Sequence, residues 1–151
     1  MTQKQELNNF FVTCFNSILR AEEKALESIT GGTLSIKEIH FIEAVFKAQE
    51  RGENCFSTVA DYLGITMGTL TSSFSRLQKK GYLVKTQDKD DKRIYYIEPT
   101  RLAEMINKEH AAFHDRMIDG VIAAMPEKHM DYVVEALKAL TDFFQESYND
   151  L

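Results

Sequence analysis

The segment from Ile65 to Leu83 constrains the fold more than any other part of the chain. Its apolar residues Leu70, Phe74 and Leu77 are spaced so that they share one face of a helix. The opposite face carries small or hydroxyl residues and one arginine, where a solvated surface helix normally has long charged side chains. Short polar side chains let a helix enter the major groove of DNA, so we predict a recognition helix. The predicted DNA-binding residues of this helix are Thr66, Gly68, Thr69, Thr71, Ser72, Ser73, Arg76 and Lys79.

The neighbouring segments extend this prediction to a winged helix-turn-helix lobe over residues 34–99. Residues 57–63 predict a short amphipathic helix, followed by a turn at Gly64 and an N-cap at Thr66. Residues 82–86 and 93–97 are rich in strand-forming residues and flank a polar tip at 87–92, which predicts a hairpin. Lys89, Lys92 and Arg93 of this wing are expected to reach a backbone phosphate or the minor groove.

The charge distribution permits DNA binding although the chain as a whole carries a formal charge of −5. Residues 66–101 contain eight basic and four acidic side chains, whereas the remainder contains ten basic and nineteen acidic ones. The positive charge is therefore concentrated where DNA contact is predicted. Affinity is expected to fall steeply with salt.

The rest of the chain predicts long helices with apolar stripes. Residues 1–30 form one such stripe before Gly31, and Ser35 with Glu38 forms a capping box for the next helix. Thr100 is expected to begin a helix through about Ala124, and Pro126 to open a last helix. The predicted fold class is mostly α with a small β-wing, in a single domain over residues 1–151. Residues 1–30 and 100–151 are expected to form a homodimer whose recognition helices address a pseudo-palindromic operator in double-stranded DNA.

The sequence gives little support for other classes of protein. It contains no nucleophile elbow, P-loop, dinucleotide-binding or zinc-protease motif, so we predict no enzyme and no cofactor. No membrane-length apolar run or signal-like segment is present, which favours a cytoplasmic protein without membrane contact. Cys14 and Cys55 are far apart and are expected to be structural thiols. A winged helix used only for protein contact remains an alternative.

Three motifs resemble those of the MarR family of bacterial transcriptional regulators. They are the threonine-rich helix at 69–71, the exit sequence at 79–83, and Asp91-Lys92-Arg93 in the wing. The chain departs from the family pattern at 99–103, where only Thr100 of the usual threonine-glycine motif is kept. The resemblance covers nearly the whole chain and implies a dimeric DNA-binding regulator, more often a repressor.

Two signals for an effector remain open as alternatives. His110 and His114 lie one turn apart with His40 on an earlier helix, and some MarR-like regulators sense zinc through histidines of this long helix. These three are a weak metal candidate, because His110 lies on the apolar stripe, where a hydrogen-bonded core histidine is the commoner case, and no metal is predicted. Cys14 lies near the position of a reactive cysteine in redox-sensing members, although no tyrosine accompanies it in the first two helices.

Residues 34–40, 68–73 and 110–114 resemble a narrower branch, the repressors of fatty-acid synthesis genes in low-GC Gram-positive bacteria. This resemblance implies a long-chain acyl effector, carried on acyl carrier protein, that strengthens DNA binding. The expected effector pocket comprises Phe15, His40, Phe41, Met105, His110, Phe113, His114 and Met117, with Phe10, Phe11 and Phe46 as further candidates.

Overall fold

A computed structural model describes residues 1–149 as six α-helices, one 3-10 turn and a two-stranded antiparallel sheet. The elements are α1 (Gln3–Thr30), α2 (Ile36–Glu50), α3 (Phe56–Leu63), α4 (Met67–Lys79), β1 (Leu83–Gln87), β2 (Tyr95–Pro99), α5 (Arg101–Ala124), the 3-10 turn (Glu127–His129) and α6 (Met130–Asn149). The chain forms two compact units, Met1–Ala111 and Ala112–Leu151. The mostly helical fold with a small wing is confirmed, whereas a single domain over the whole chain stays a prediction.

The helix boundaries follow from local capping chemistry. The predicted capping box at α2 is present, since the Ser35 N–H donates to Glu38 Oε2 at 3.0 Å and the Glu38 N–H donates to Ser35 Oγ at 3.2 Å. Helix α1 ends where Gly31 adopts a φ of 64°, which a glycine reaches without steric cost. Gly64 ends α3 in the same way, with a φ of 62°. This second glycine makes the sharp turn between α3 and α4.

The wing begins later along the chain than the sequence predicted. Strand β1 pairs with β2 from Leu83↔Pro99 to Gln87↔Tyr95, and the bridge Cys55↔Tyr96 extends the pairing to the residue before α3. The predicted strands at 82–86 and 93–97 were therefore placed one or two residues too early. Arg93 belongs to the tip because the Asp91 side chain accepts its backbone N–H at 3.0 Å. The Ile94 N–H donates to the Asp91 carbonyl, also at 3.0 Å, and this closes the turn.

The buried apolar residues of the first unit come from all of its elements and hold the helix-turn-helix against α2 and the wing. Leu70, Phe74 and Leu77 are 0%, 3% and 0% exposed, as their helical spacing predicted. The other buried hydrophobic side chains are Leu26, Leu34, Ile39, Phe41, Ile42, Ala44, Val45, Ala48, Val59, Ala60, Tyr82, Leu83, Ile97, Ala103 and Ile106. Asn54 is buried among them and donates to the Ile97 carbonyl at 3.0 Å.

Two helix starts near the C-terminal half of the chain test the sequence predictions. Thr100 precedes α5 as expected, and its hydroxyl accepts the Ala103 N–H at 3.4 Å and donates to the Gly81 carbonyl at 2.7 Å. The prediction for Pro126 was wrong, because its ψ of 127° is extended and it precedes the 3-10 turn, so that α6 begins only at Met130. Proline fixes φ and leaves ψ free, so it does not by itself start an α-helix.

Helix α1 exposes much of its apolar stripe. Phe10 is 53% and Phe15 57% exposed, and Leu7 and Leu19 are similarly open. The second unit likewise exposes Ile122, Leu137, Phe143 and Phe144 to about half of their full extent. Among the residues described, no helix is both long enough and apolar enough to cross a membrane.

Candidate nucleic-acid interface

Helix α4 presents a polar face that the core does not use. Gly68, Thr69, Ser72, Arg76 and Lys79 are exposed, whereas Ser73 is half-buried. A Cβ atom placed on Gly68 would meet no atom within 4 Å, so packing within the chain does not require a glycine there. Short side chains on this face allow the backbone to approach another surface closely.

The first turns of α4 are fixed by threonine hydroxyls. Thr66 Oγ1 accepts the Thr69 N–H at 3.2 Å, which confirms the predicted N-cap, and the Thr66 hydroxyl donates to Thr69 Oγ1 at 3.0 Å. The hydroxyl of Thr71 donates to the Met67 carbonyl at 2.8 Å. Its hydrogen is thus engaged within the helix, although its oxygen keeps acceptor capacity. Arg76 donates to Ser73 Oγ at 3.1 Å, which holds the guanidinium along the exposed face.

Lys80 anchors the C-terminal end of α4 to the start of α2, a role that sequence reasoning missed. Its ammonium lies 2.9 Å from Glu38 Oε2 and donates to the Thr33 carbonyl at 2.7 Å. Burial raises the pKa of Glu38, but hydrogen bonds from the Ser35 N–H and from Lys80 outweigh it, so this pKa lies below its usual value. The 42-residue separation explains why no local pattern indicated the pair.

The wing tip carries the other predicted DNA contacts, and Lys89, Lys92 and Arg93 are all exposed. Asp91 orients Arg93, since the guanidinium Nε and one terminal nitrogen donate to its two carboxylate oxygens at 3.1 and 2.9 Å. These bonds lower the pKa of Asp91 and raise that of Arg93. At the base of the tip, Asp88 accepts the backbone N–H groups of Asp90 and Asp91 at 2.9 and 2.8 Å. The wing is therefore a hydrogen-bonded turn that presents three cations.

The histidines predicted as a weak metal candidate meet a carboxylate that sequence reasoning did not include. Glu22 Oε1 lies 2.9 Å from His40 Nε2 and 2.8 Å from His110 Nε2, which joins α1, α2 and α5 within the first unit. Burial raises the pKa of Glu22, but hydrogen bonds from His110 and His40 bring it below its usual value. His114 belongs to the second unit, where its ring lies edge-on to that of Phe113. No motif indicated Glu22, because its partners are distant along the chain.

The residues predicted for an effector pocket lie in different surroundings. Phe41 is part of the buried core and Phe15 is exposed, whereas Phe113, His114 and Met117 are half-buried residues of the second unit. Met105 lines an open cleft of about 760 Å³ in the first unit. The other lining residues are Phe46, Gln49, Pro99, Thr100, Arg101, Glu104 and Lys108.

Both cysteines are free thiols and partly buried. Cys55 is the residue before α3, and its Sγ lies 3.0 Å from Thr58 Oγ1 and 3.3 Å from Ser57 Oγ. Burial raises the pKa of Cys55, but the hydrogen bonds from Ser57 and Thr58 outweigh this effect and lower the pKa overall. The structural role expected of Cys55 stays a prediction.

Known proteins match this chain over its DNA-binding lobe and over nearly its full length. Residues 33–103 match the family described as winged helix DNA-binding domain. The transcriptional regulator AdcR of Streptococcus pyogenes is 28% identical over 119 residues, which cover 78% of each chain. The crystal structure of Streptococcus pneumoniae FabT in complex with DNA has a TM-score of 0.87 and 29% identity, covering 95% of this chain and 99% of that one. The MarR family transcription regulator SP03579 shares the fold at 12% identity, with a TM-score of 0.79 and coverage of 99% and 95%.

The helix-turn-helix of α3 and α4, followed by the hairpin of β1 and β2, defines a winged helix DNA-binding protein. The chain is similar to the transcriptional regulator AdcR and to FabT over most of its length, and it shares its fold with a MarR family transcription regulator. The resemblance noted from the sequence motifs is thereby confirmed.

Proposed function

We propose that the protein acts as a homodimeric repressor that binds a pseudo-palindromic operator. Helix α4 enters the major groove, where Gly68, Thr69 and Ser72 approach the base edges. Arg76 makes the main base-specific contact, because it is the one exposed arginine on this face. The remaining predicted contacts, including Thr66, Thr71 and Ser73, complete the surface that follows the groove.

The exposed polar face of α4 is the single observation that carries this proposal. Neither packing within the chain nor helix propensity requires short side chains on this face. A close approach of the helix backbone to DNA would explain them. The wing adds Lys89, Lys92 and Arg93, which contact the phosphate backbone without reading sequence. FabT of Streptococcus pneumoniae, which this chain resembles over 95% of its length, is solved in complex with DNA.

The dimer is inferred from apolar surface that the single chain leaves open. Phe10, Phe15 and Leu19 on α1, and Leu137 and Phe143 on α6, are each 46–59% exposed. Contiguous apolar stripes of this kind mark interaction sites on soluble proteins. A twofold dimer places two recognition helices on half-sites about one DNA turn apart, which accounts for the expected palindrome.

Fluorescence anisotropy on DNA from upstream of the gene itself tests the operator proposal. Wild-type protein is expected to bind such DNA with steep salt dependence, Arg76→Ala to bind weakly, and Lys128→Ala, from the 3-10 turn, to bind as wild type. Equal affinity of the Arg76 variant and wild type on selected operator DNA contradicts the assignment of α4. If an unbiased selection yields no bound DNA, the protein-contact alternative is favoured.

We further propose that fatty-acid synthesis genes are the targets and that a long-chain acyl group on acyl carrier protein is the effector. Support comes from the resemblance of residues 34–40, 68–73 and 110–114 to that branch of repressors. The cleft lined by Met105 and Phe46 offers apolar surface beside the cations of Arg101 and Lys108, which suits an acyl chain with an anionic carrier.

The effector proposal is tested by repeating the anisotropy measurement with long-chain acyl carrier protein and with the carrier alone. Only the acylated carrier is expected to tighten binding, and Met105→Asn is expected to reduce that gain while leaving binding without the carrier unchanged. Met105 is 59% exposed, so the substitution removes little core packing. Operator binding that is indifferent to the acyl chain refutes the effector and keeps the DNA-binding function.

A further inference from the structure

We propose that the side chains of Gln49, Glu98 and Asn54 form a link that couples the open cleft of the first unit to the wing. Gln49 lies near the C-terminal end of α2 and lines the cleft. Glu98 belongs to β2, and Asn54 is the residue before Cys55, the N-cap of α3. The link rests on the proposed function and deepens it, since it names how occupancy of the same cleft reaches the DNA-binding surface.

One carboxylate joins the three side chains of the link. Gln49 Nε2 donates to Glu98 Oε2 at 2.9 Å. Asn54 Nδ2 donates to Glu98 Oε1 at 3.4 Å, which is a longer and weaker bond. A carboxylate acceptor makes such bonds stronger than those between neutral groups. Helix α2 and strand β2 are thereby tied together at the edge of the cleft.

Asn54 carries the link into the backbone that leads to the helix-turn-helix. Its Nδ2 donates to the Ile97 carbonyl at 3.0 Å, and its own carbonyl accepts the Ile97 N–H at 2.8 Å. Asn54 is 8% exposed, so water does little to replace a lost partner. A displacement of Glu98 or Ile97 is therefore transmitted to the residue that precedes the N-cap of α3.

The wing tip is the far end of the link. Cys55 pairs with Tyr96 in a β-bridge, and the Tyr96 hydroxyl donates to Asp88 Oδ2 at 2.8 Å. Asp88 also accepts the N–H groups of Asp90 and Asp91, which shapes the turn that presents the three cations of the wing. Hydrogen bonds and one peptide bond therefore connect the wall of the cleft to the predicted DNA contacts.

The exposed end of the link is the part that an occupant of the cleft can change. Gln49 is exposed, so water competes with Glu98 for its amide. A ligand that covers Gln49 excludes this water and restricts its side chain to the rotamers that reach Glu98. The wing is then ordered before DNA arrives, so that less conformational entropy is lost when the operator binds. The sign agrees with the proposed effector, which strengthens DNA binding.

Reversal of the donor and the acceptor tests the link in the full-length protein. Gln49→Glu places two carboxylates side by side, and their repulsion breaks the bond. Combining Gln49→Glu with Glu98→Gln restores the bond in reverse, because the new amide at position 98 donates to the new carboxylate while its oxygen still accepts from Asn54. Both variants have the same side chain at position 49, so their difference reports the link and not the lining of the cleft. Glu50→Gln, an exposed neighbour on α2, is the control.

Amide hydrogen exchange followed by NMR, without DNA or effector, gives the first readout. The Ile97 and Asp91 N–H groups are expected to exchange about 2- to 10-fold faster in Gln49→Glu than in wild type, and to recover in the double variant. The Gly31 N–H, which donates to the Glu27 carbonyl at the end of α1, should exchange at the wild-type rate throughout. Unchanged rates in Gln49→Glu overturn the link, as does a double variant that does not recover. Faster exchange at Gly31 as well indicates general destabilisation and likewise overturns it.

Operator anisotropy with long-chain acyl carrier protein, and with the carrier alone, gives the second readout. The acylated carrier is expected to tighten binding of wild type about 5-fold or more. Gln49→Glu should lose most of this gain, and the double variant should regain it. An undiminished gain in Gln49→Glu overturns the link as the route of regulation. If the acylated carrier has no effect on wild type while the exchange rates follow the expected pattern, the proposed effector fails and the link stands.

Discussion

Removal of the Arg93 side chain should change the salt dependence of operator binding by a calculable amount. Five exposed cations of each chain face the proposed DNA surface, namely Arg76, Lys79, Lys89, Lys92 and Arg93. If each neutralises one phosphate, a dimer makes ten contacts, and the slope of log affinity against log salt is about −9. Arg93→Ala removes two of these contacts, one from each chain, and should bring the slope to about −7.

The difference in slope gives a sharper test than affinity alone. Between 50 and 200 mM salt, the ratio of wild-type to Arg93→Ala affinity should shrink about 12-fold, because about 1.8 fewer counterions are released. Anisotropy on one operator at four salt concentrations measures both slopes, with Lys128→Ala as the control of equal charge change. Equal slopes of log affinity against log salt for wild type and Arg93→Ala would refute the contact between Arg93 and a phosphate. Slopes of half these values would indicate that one chain alone binds DNA.

Three further predictions follow from the same surfaces. Gly68→Ala should keep the free energy of unfolding or raise it by up to about 1 kcal/mol, because the added methyl group meets no other atom of the chain. The same substitution should weaken operator binding, because the methyl group projects from the helix proposed to face DNA. Equal operator affinity of wild type and Gly68→Ala would contradict the close approach of this helix to DNA. Lys80→Ala should lower the free energy of unfolding by about 1–2 kcal/mol in urea, because it leaves the 10% exposed Glu38 side chain without its ammonium partner; the exposed Lys79→Ala is the control. The pKa of the Asp88 carboxyl, measured by NMR, should lie below its usual value, mainly because the Asp91 N–H donates to it and secondly because the Tyr96 hydroxyl does. The hydrogen-bonded turn of the wing should therefore persist above that pKa and be lost as the pH falls through it.

Patterns of short range predicted most of the fold. The spacing of Leu70, Phe74 and Leu77 identified the buried face of α4, and the Ser35 capping box fixed the start of α2. Such features depend on residues within one or two helical turns, which a single sequence displays directly. The predicted limits of β1 and β2 were less accurate. The Asp91 side chain accepts the Arg93 N–H and so keeps Arg93 in the turn, an effect that strand propensity does not include.

Contacts between distant residues could not be predicted in the same way. Lys80 and Glu38 are 42 residues apart, and Glu22 meets His110 across 88 residues. His110 was noticed because it lies one turn from His114, but the relevant partner was on another helix. Periodicity indicates which face of a helix is buried, and it does not say which residue of another helix lies opposite that face.

The division of α4 into two faces has a consequence for how this regulator can change its target. Folding depends on the inward residues and on the Lys80 anchor, whereas Thr69, Ser72 and Arg76 make no packing contribution to the core. Substitutions on the outer face can therefore accumulate with little penalty in stability. Under the proposed role of α4, operator preference is thus free to diverge after gene duplication, and the same helix is a suitable site for engineering new sequence specificities on an unchanged scaffold.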